Sequence, residues 1–242
     1  MIKFRHIITL IVTLTTFFSL QQANAGERIR LRVMSMNIKE GAAYASHKAA
    51  PYAELIKKYD PDVVCLQEVD YMTTRNGKRD FLNELAAATG MFPYWCQSFS
   101  YQGGGFGVAL LSKYPFLKAE KITSTIKGAR EPRSTGWIYI CLPEGGTLRV
   151  ATTHLALESP EITIQNIADV NKKIFGQDQL TPTLLIGDFN ATEDSDPIKY
   201  AKIKWQEIGF PKKWKSERYE IIARADLSDH CFVMADVIYE EN

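Results

Sequence analysis

The chain has 242 residues, 45% of them hydrophobic, 24% charged and 11% aromatic, with 15 Gly and 10 Pro. That balance excludes a disordered chain, a collagen-like repeat and a coiled coil, and fits one folded domain or two small ones. Lys and Arg total 29 against 28 Asp and Glu, a formal charge of +1; no basic excess points to electrostatic nucleic-acid binding, although a local patch would escape this sum.

Residues 1–25 read as a signal peptide. Lys3 and Arg5 precede an apolar run of 14 residues at 7–20, and Ala23-Asn24-Ala25 supplies the small residues of a cleavage site. The run is short for a membrane span, which needs about 20 residues, and no Cys follows closely for lipid attachment. The expectation is an exported protein, periplasmic or secreted, with no stable membrane anchor. Loss of Lys3 and Arg5 would take the formal charge from +1 to −1. Export also exposes Cys65, Cys96, Cys141 and Cys231 to an oxidising compartment. Cys65 and Cys141 fall in apolar strand-like runs, so buried free thiols are expected in preference to disulfides. No C-x-x-C or Cys/His spacing suggests structural zinc.

The remaining chain, residues 26–242, alternates strand and helix patterns. Residues 31–38 (LRVMSMNI) alternate as a strand should. Tyr52, Leu55, Ile56 and Tyr59 share one helix face, with Pro51 at the start and Asp60-Pro61 at the end. A buried strand is predicted over 63–69, and a second helix over 79–89, stopped by Gly90. Strands follow at 94–99, 106–112, 121–126 and 137–142, and Gly145-Gly146 turns the last into a hairpin with 147–155. Ser159-Pro160-Glu161 opens a third helix, closed by Gly176. Strands at 183–186, 219–222 and 231–239 complete the set. No linker or repeat divides this region. Strands interspersed with helices and hairpins imply one α/β domain, a mixed sheet system covered by helices.

Five short strings place acids, amides and histidines where a strand pattern stops: Asn37 in SMNIK, Glu68 in LQEV, His154 in TTHL, Asp188 and Asn190 in IGDFNA, and Asp229-His230 in LSDH. Strand ends hold side chains rigidly at a surface. Carboxylate and amide oxygens suit Mg²⁺ or Mn²⁺ with several waters retained, and histidines move protons near neutral pH. An Asp beside an Asn can take a proton from water while the amide fixes the water's orientation. Singly, each string has an ordinary structural use as a turn, a solvated strand end or a core histidine. Together they point to one shared site.

In this combination and order the chain resembles the endonuclease/exonuclease/phosphatase superfamily, metal-dependent phosphoesterases related to pancreatic-type deoxyribonuclease. The matching strings are MSMNIK, PDVVCLQEVD, GFGVALLSKYP, EPRS, TTHL, LLIGDFNAT and LSDH, and the resemblance runs over about residues 31–237. The resemblance implies a four-layer α/β-sandwich, two packed mixed β-sheets with helices on the outer faces. It makes Glu68 the principal Mg²⁺ ligand with Asn37 beside it, and gives Asp188 the attacking water. Asn190 would hold water or phosphate, and His154 would donate to phosphoryl oxygens. Asp229 would orient His230 or share a second metal, while His230 would contact the scissile phosphate or transfer a proton. Arg133 in EPRS would steady phosphate oxygens through its planar fork.

Two departures stand out. The family's Arg-x-Asp-Tyr-Ile-like string is represented by Arg218-Tyr219-Glu220-Ile221-Ile222, with Glu220 where an Asp supporting the histidine is expected. Asn190 and Asp229 are also close together in the sequence for this family. Elsewhere, the aromatic and Lys-rich stretch 202–218 reads as solvated surface in preference to a stacking patch. Gly103-Gly104-Gly105 lacks the Lys of a P-loop and reads as a flexible hairpin loop. Asn190-Ala191-Thr192 is a glycosylation string on a catalytic Asn, which suits a bacterial host. The expected function is a monomeric Mg²⁺-dependent phosphoesterase, with Mn²⁺ as a substitute, acting on a small, sugar or lipid phosphoester. A secreted DNase-like nuclease acting on nucleic acid is the alternative, and a catalytically inactive binding module the rival from another class.

Overall fold

The computed structural model describes residues 8–11, 28–142, 146–178, 181–207 and 214–240. Two sheets lie face to face. The first runs in the order β10 (Trp214–Ile222), β11 (Phe232–Glu240), β2 (Arg28–Asn37), β3 (Val63–Tyr71), β5 (Gly104–Ser112), β4 (Phe92–Tyr101). The second runs β1 (Ile8–Ile11), β9 (Thr183–Asp188), β8 (Thr147–His154), β7 (Arg133–Cys141), β6 (Phe116–Ser124). β1 comes from the expected leader and pairs antiparallel with β9; the expected cleavage site lies outside the described residues.

Period-two alternation in the strands assembles three cores. Leu31, Val33, Val63, Cys65, Val108 and Leu110 face inwards and meet Ile138, Ile140, Val150, Leu184 and Ile186 of the opposite sheet. Met34, Met36, Val64 and Leu66 point the other way, onto α2 (Ala50–Tyr59) and α3 (Phe81–Thr89) through Tyr52, Leu55, Phe81 and Leu85. Trp137, Tyr139, Ala151 and Leu185 form the outer face of the second sheet, under α4 (Pro160–Gln177) and α5 (Asp196–Glu207). The result is helices, sheet, sheet, helices: the four-layer α/β-sandwich that the resemblance implies.

Local expectations fare unevenly. Ser159 caps α4 by accepting from the Ile162 N–H, as its sequence suggests. β6 starts five residues before the predicted strand, because it is an edge strand on which Leu117 and Lys118 face solvent while Glu120 turns inward to Trp137 and Tyr139, which hides the alternation. α5, which the sequence patterns did not predict, overlaps the stretch read as solvated surface only at 202–207. Its Ile198 and Ala201 are buried at helical spacing against the α4 layer, and the side chains of 204–215 lie outside the described residues. Of the glycine string, Gly103 makes the turn (φ +71°), but Gly104 and Gly105 are the first residues of β5 and not a loop. The four cysteines are free; Cys65 and Cys96 are buried, whereas Cys141, at the last position of β7, is exposed, contrary to expectation.

One segment connects fold to site. After β2 the chain enters a single turn, α1 (Lys39–Ala42), in which Lys39, Glu40, Gly41 and Ala42 all have positive φ. This run hooks the backbone N–H of Glu40 onto the Glu68 carboxylate at 2.9 Å. It also presses Gly41 against the fully buried Asp70, so that a Cβ at Gly41 would lie 2.5 Å from the Asp70 carboxyl carbon. Gly41→Ala combines that clash with a left-handed backbone, a strain of about 1–3 kcal/mol. Chemical denaturation should show a lower midpoint by a corresponding amount, and an unchanged midpoint would contradict this packing.

Candidate active site

Each sheet contains one parallel strand pair, and both pairs end at the same mouth. β2 runs parallel to β3 with Asn37 opposite Gln67, and β8 runs parallel to β9 with His154 opposite Asp188. Carboxyl ends of parallel strands are where such sheets present ligand-binding side chains. A β-bulge between Leu66 and Val69 interrupts β3, and there Glu68 takes a positive φ of 58°. The bulge re-aims one side chain. Gln67 crosses the inter-sheet core to the Thr152 hydroxyl (3.1 Å), while Glu68 turns out to the mouth.

Asn37 ties these ends together. Its Nδ2 donates to Glu68 Oε1 and to Asp188 Oδ2, each at 3.0 Å. Its Oδ1 accepts the Lys39 N–H, and its backbone carbonyl accepts the Ser228 hydroxyl at 2.8 Å. Ser228 in turn receives the His230 backbone N–H, which brings the SDH loop against the end of β2. Asp188 Oδ2 is then flanked by His154 Nε2 at 3.9 Å and His230 Nδ1 at 3.7 Å. Its other oxygen accepts the backbone N–H of Asn190, whose left-handed φ of 49° suits Asn. Asn190 Nδ2 donates to the Leu155 carbonyl, a bond that fixes the turn after β9.

Arg133 opens β7 beside His154, and its Nη1 lies 3.3 Å from His154 Nδ1 and 3.1 Å from Glu131. A guanidinium can only donate, so Nδ1 of His154 is the acceptor and Nε2 carries the proton towards Asp188. No carboxylate clamps Arg133 at both ends, and its buried Nε has no hydrogen-bond partner among the described residues. Asp229 stands on the rim, 43% exposed, its Oδ2 3.4 Å from Lys39 Nζ and its Oδ1 3.6 Å from His230 Nε2. Glu220 takes no part: its oxygens accept from Tyr59 (2.9 Å) and Arg218 (2.6 Å). Asp188 and Asp229 flank His230 in its stead.

Burial disfavours the charged imidazolium of His154 and Arg133 repels it, outweighing Asp188, so its pKa is lowered. Asp188 is also penalised by burial, but His154, the Asn190 N–H and the Asn37 amide hold its carboxyl below the ordinary aspartate range. For Lys39, burial is outweighed by Glu68 and Asp229, which raise its pKa. The site at neutral pH therefore holds a charged Asp188 between a neutral His154 and the second imidazole.

Among the described residues no cluster of three or more His, Cys, Asp and Glu is arranged to cage a metal ion. Mg²⁺ does not need one, since it is held by one or two carboxylates with waters and substrate phosphates. Glu68, with its oxygens positioned by Asn37 and Glu40 and facing the cleft, fits that mode. Asn37 is placed to support Glu68 through its Nδ2, and Asp229 is placed at the rim. All of Glu68, His154, Asp188, Asn190, His230 and Arg133 line one cleft of about 340 Å³. The same cleft is lined by Lys39, Arg75, Phe99, Tyr101, Phe106 and Arg130, none of which the sequence reading had singled out. The recurrence of Phe99 and Tyr101 two apart on one strand was the available signal.

The fold and the amide-linked carboxylate and imidazole cluster define a two-sheet sandwich with a polar site at its strand ends. The model of the Endonuclease/Exonuclease/phosphatase family matches residues 34–234, and the chain belongs to that family. No curated protein matches the sequence significantly. Among solved structures, a functionally unknown conserved protein from Enterococcus faecalis superposes with a TM-score of 0.70 at 18% identity, covering 86% of this chain and 99% of its own. A mannosyl-6-phosphatase from Bacteroides thetaiotaomicron gives 0.69 at 14% identity, covering 86% and 100%. D. rerio TDP2 complexed with a single-strand DNA product gives 0.62 at 16%, covering 86% and 98%. These identities establish a common fold.

Stability should record the two shifted groups. Each has a folded pKa below its unfolded value, so each stabilises the protein above the unfolded pKa and loses that contribution as pH falls. For His154 the loss begins below the unfolded value of about 6.5; for Asp188 it comes only in strong acid. The urea midpoint of metal-free protein should decline between pH 7 and pH 5.5, and His154→Gln should flatten that decline. An equally steep decline in the variant would show that His154 is not buried neutral.

Proposed function

We propose that the protein is an exported, metal-dependent phosphoesterase that hydrolyses a phosphodiester or phosphomonoester by direct attack of water. The observation that carries this reading is the convergence of two imidazoles and one amide on Asp188 Oδ2, beside Glu68, in a single cleft. Family membership supports the reaction class. None of Asn37, Glu68, Asp188, Asn190, Asp229 or His230 is lost, as an inactive binding module would allow.

Asp188, charged and held by Asn37 and Asn190, accepts a proton from the attacking water. His154 presents Nε2–H to a phosphoryl oxygen, with Arg133 behind it fixing the tautomer. Arg133 itself can turn a donor towards a second phosphoryl oxygen. His230, between Asp188 and Asp229, is placed to hand a proton to the departing alcohol oxygen as its bond to phosphorus breaks. Asn190 fixes the Asp188 carboxylate through its backbone N–H. Glu68, supported by Asn37 and the Glu40 N–H, would hold Mg²⁺ or Mn²⁺. When bound, such an ion neutralises charge on the phosphoryl group.

A small, sugar or lipid phosphoester is favoured over nucleic acid by the electrostatics of the rim. Three of the four Lys and Arg side chains that line the cleft are paired: Lys39 faces Asp229, Arg75 faces Asp70 and Glu40, and Arg133 faces Glu131. Cations already paired with carboxylates make a poor track for a polyanion, which draws affinity from unpaired Lys and Arg. The signal-peptide reading supports export; no helix among the described residues is long and apolar enough to cross a membrane.

The test is a phosphoester panel (a sugar phosphate, a nucleotide, a phospholipid, plasmid DNA) with Mg²⁺ or Mn²⁺ and an EDTA control. Turnover should vanish in EDTA. Glu68→Gln should lower it by at least about a hundredfold, with partial recovery in excess Mg²⁺ and little change in melting temperature. Full turnover in EDTA would overturn the mechanism, and efficient DNA cleavage with a steep salt dependence would reverse the substrate ranking.

A further inference from the structure

One wall of the cleft plays no part in the chemistry above. Phe99 on β4 and Phe106 on β5 are register partners, with ring centroids 5.3 Å apart, and Tyr101 packs edge-on to both at 6.1 and 6.3 Å. Over this cluster lies Arg75, its guanidinium carbon 4.7 Å from the Tyr101 centroid and 5.5 Å from that of Phe106. Asp70, fully buried, grips Arg75 through both oxygens at 2.6 and 2.8 Å and also accepts the Thr73 hydroxyl at 2.7 Å. A buried ion pair of this kind adds little net stability, but it fixes the plane of the guanidinium against the rings. The wall is thus preorganised, and Asp70 neutralises its one cation. Leu157, 51% exposed, lines the same cleft.

We propose that Phe99, Tyr101, Phe106 and Arg75 form the subsite for the alcohol part of the substrate, and that it selects a phosphoester whose alcohol carries an uncharged ring. The assignment rests on the phosphoesterase reading for the phosphate half. Aromatic faces and a guanidinium plane favour a ring face, whether of a nucleobase or a pyranose, and gain little from a flexible polyol. Because the wall is close to neutral, it offers no counter-charge for a second phosphate. The cleft, at about 340 Å³, stands at the small end of the range of roughly 300–1,000 Å³ typical of small-molecule sites. That suits a phosphate and one ring-bearing group better than a polymer.

The test compares three monoesters of different alcohols: a nucleoside 5′-phosphate, a hexose 6-phosphate and glycerol 3-phosphate. Steady-state kinetics with Phe99→Ala and Tyr101→Ala should show kcat/KM for the preferred ring ester falling about tenfold or more, mainly through KM. Glycerol phosphate should change by less than about twofold. Which ring ester responds distinguishes a nucleobase from a sugar. Equal losses on all three, or none, would overturn the subsite, and melting temperatures identify a variant that has merely lost its fold. Titration of the wild type with adenosine and with methyl glucoside separates the two readings. Ring binding that depends on Phe99, in a protein that turns over no phosphoester, would keep the subsite and remove the phosphoesterase. Turnover of phosphoesters with no preference for rings would do the reverse.

Discussion

Two hydrogens on one amide nitrogen hold the site together. Asn37 Nδ2 lies between Glu68, which belongs to one sheet, and Asp188, which belongs to the other, at 3.0 Å from each. Two carboxylates this close to a common donor would repel each other without it, and both are nearly buried. The amide lets them share a mouth while each keeps a face for chemistry. Much else follows from holding Asn37 still. Its carbonyls fasten the left-handed turn at Lys39 and the Ser228 hydroxyl, and through Ser228 the loop that carries His230.

The arrangement also sorts the polar groups by role. His154 is kept neutral by burial and by Arg133, and a neutral imidazole with its proton on Nε2 is a donor that does not compete with a cation for Asp188. Lys39 is kept charged by Glu68 and Asp229, on the rim side of the same carboxylates. Charge in the cleft is therefore local and largely balanced. That balance supports a small substrate recognised by shape and stacking, with the phosphate as its one anionic handle.

Much of this was legible in the sequence, for a physical reason. A side chain that must be rigid and exposed sits where a strand stops, so Asn37, His154 and Asp188 mark both the strand ends and the site. A helix-covered sheet system was likewise written in the alternation of residues 31–38 and the helix face through Tyr52 and Tyr59, whereas the four-layer arrangement came only from the family resemblance. Four things were hidden. Glu68 was placed at a strand end but lies within β3, and the bulge with its positive φ that turns it out to the mouth has no signature in the sequence. α5 begins with Ser195-Asp196-Pro197, a start signal like that of Ser159-Pro160-Glu161, but its surface lysines masked the buried Ile198 and Ala201. Glu220 matched a family motif in position, yet its partners are set by what β10 packs against, which here is Tyr59. The aromatic wall escaped because Phe99, Tyr101 and Phe106 look like core until Arg75, five residues beyond Asp70, is seen lying over them.

The most direct measurement of the central claim is the paired effect of Asn37→Leu, which keeps the side chain's size and removes both hydrogen-bond donors. Phosphoester turnover at saturating Mg²⁺ and the unfolding midpoint would be read on the same preparation. Turnover should fall by about two orders of magnitude or more, with Mg²⁺ affinity weakened alongside it as Glu68 loses its support. The protein should remain folded, with a lowered midpoint, because two carboxylates are left facing each other without a donor. Turnover within a few-fold of the wild type would contradict that claim, and would mean that Glu68 and Asp188 find their places without the amide between them.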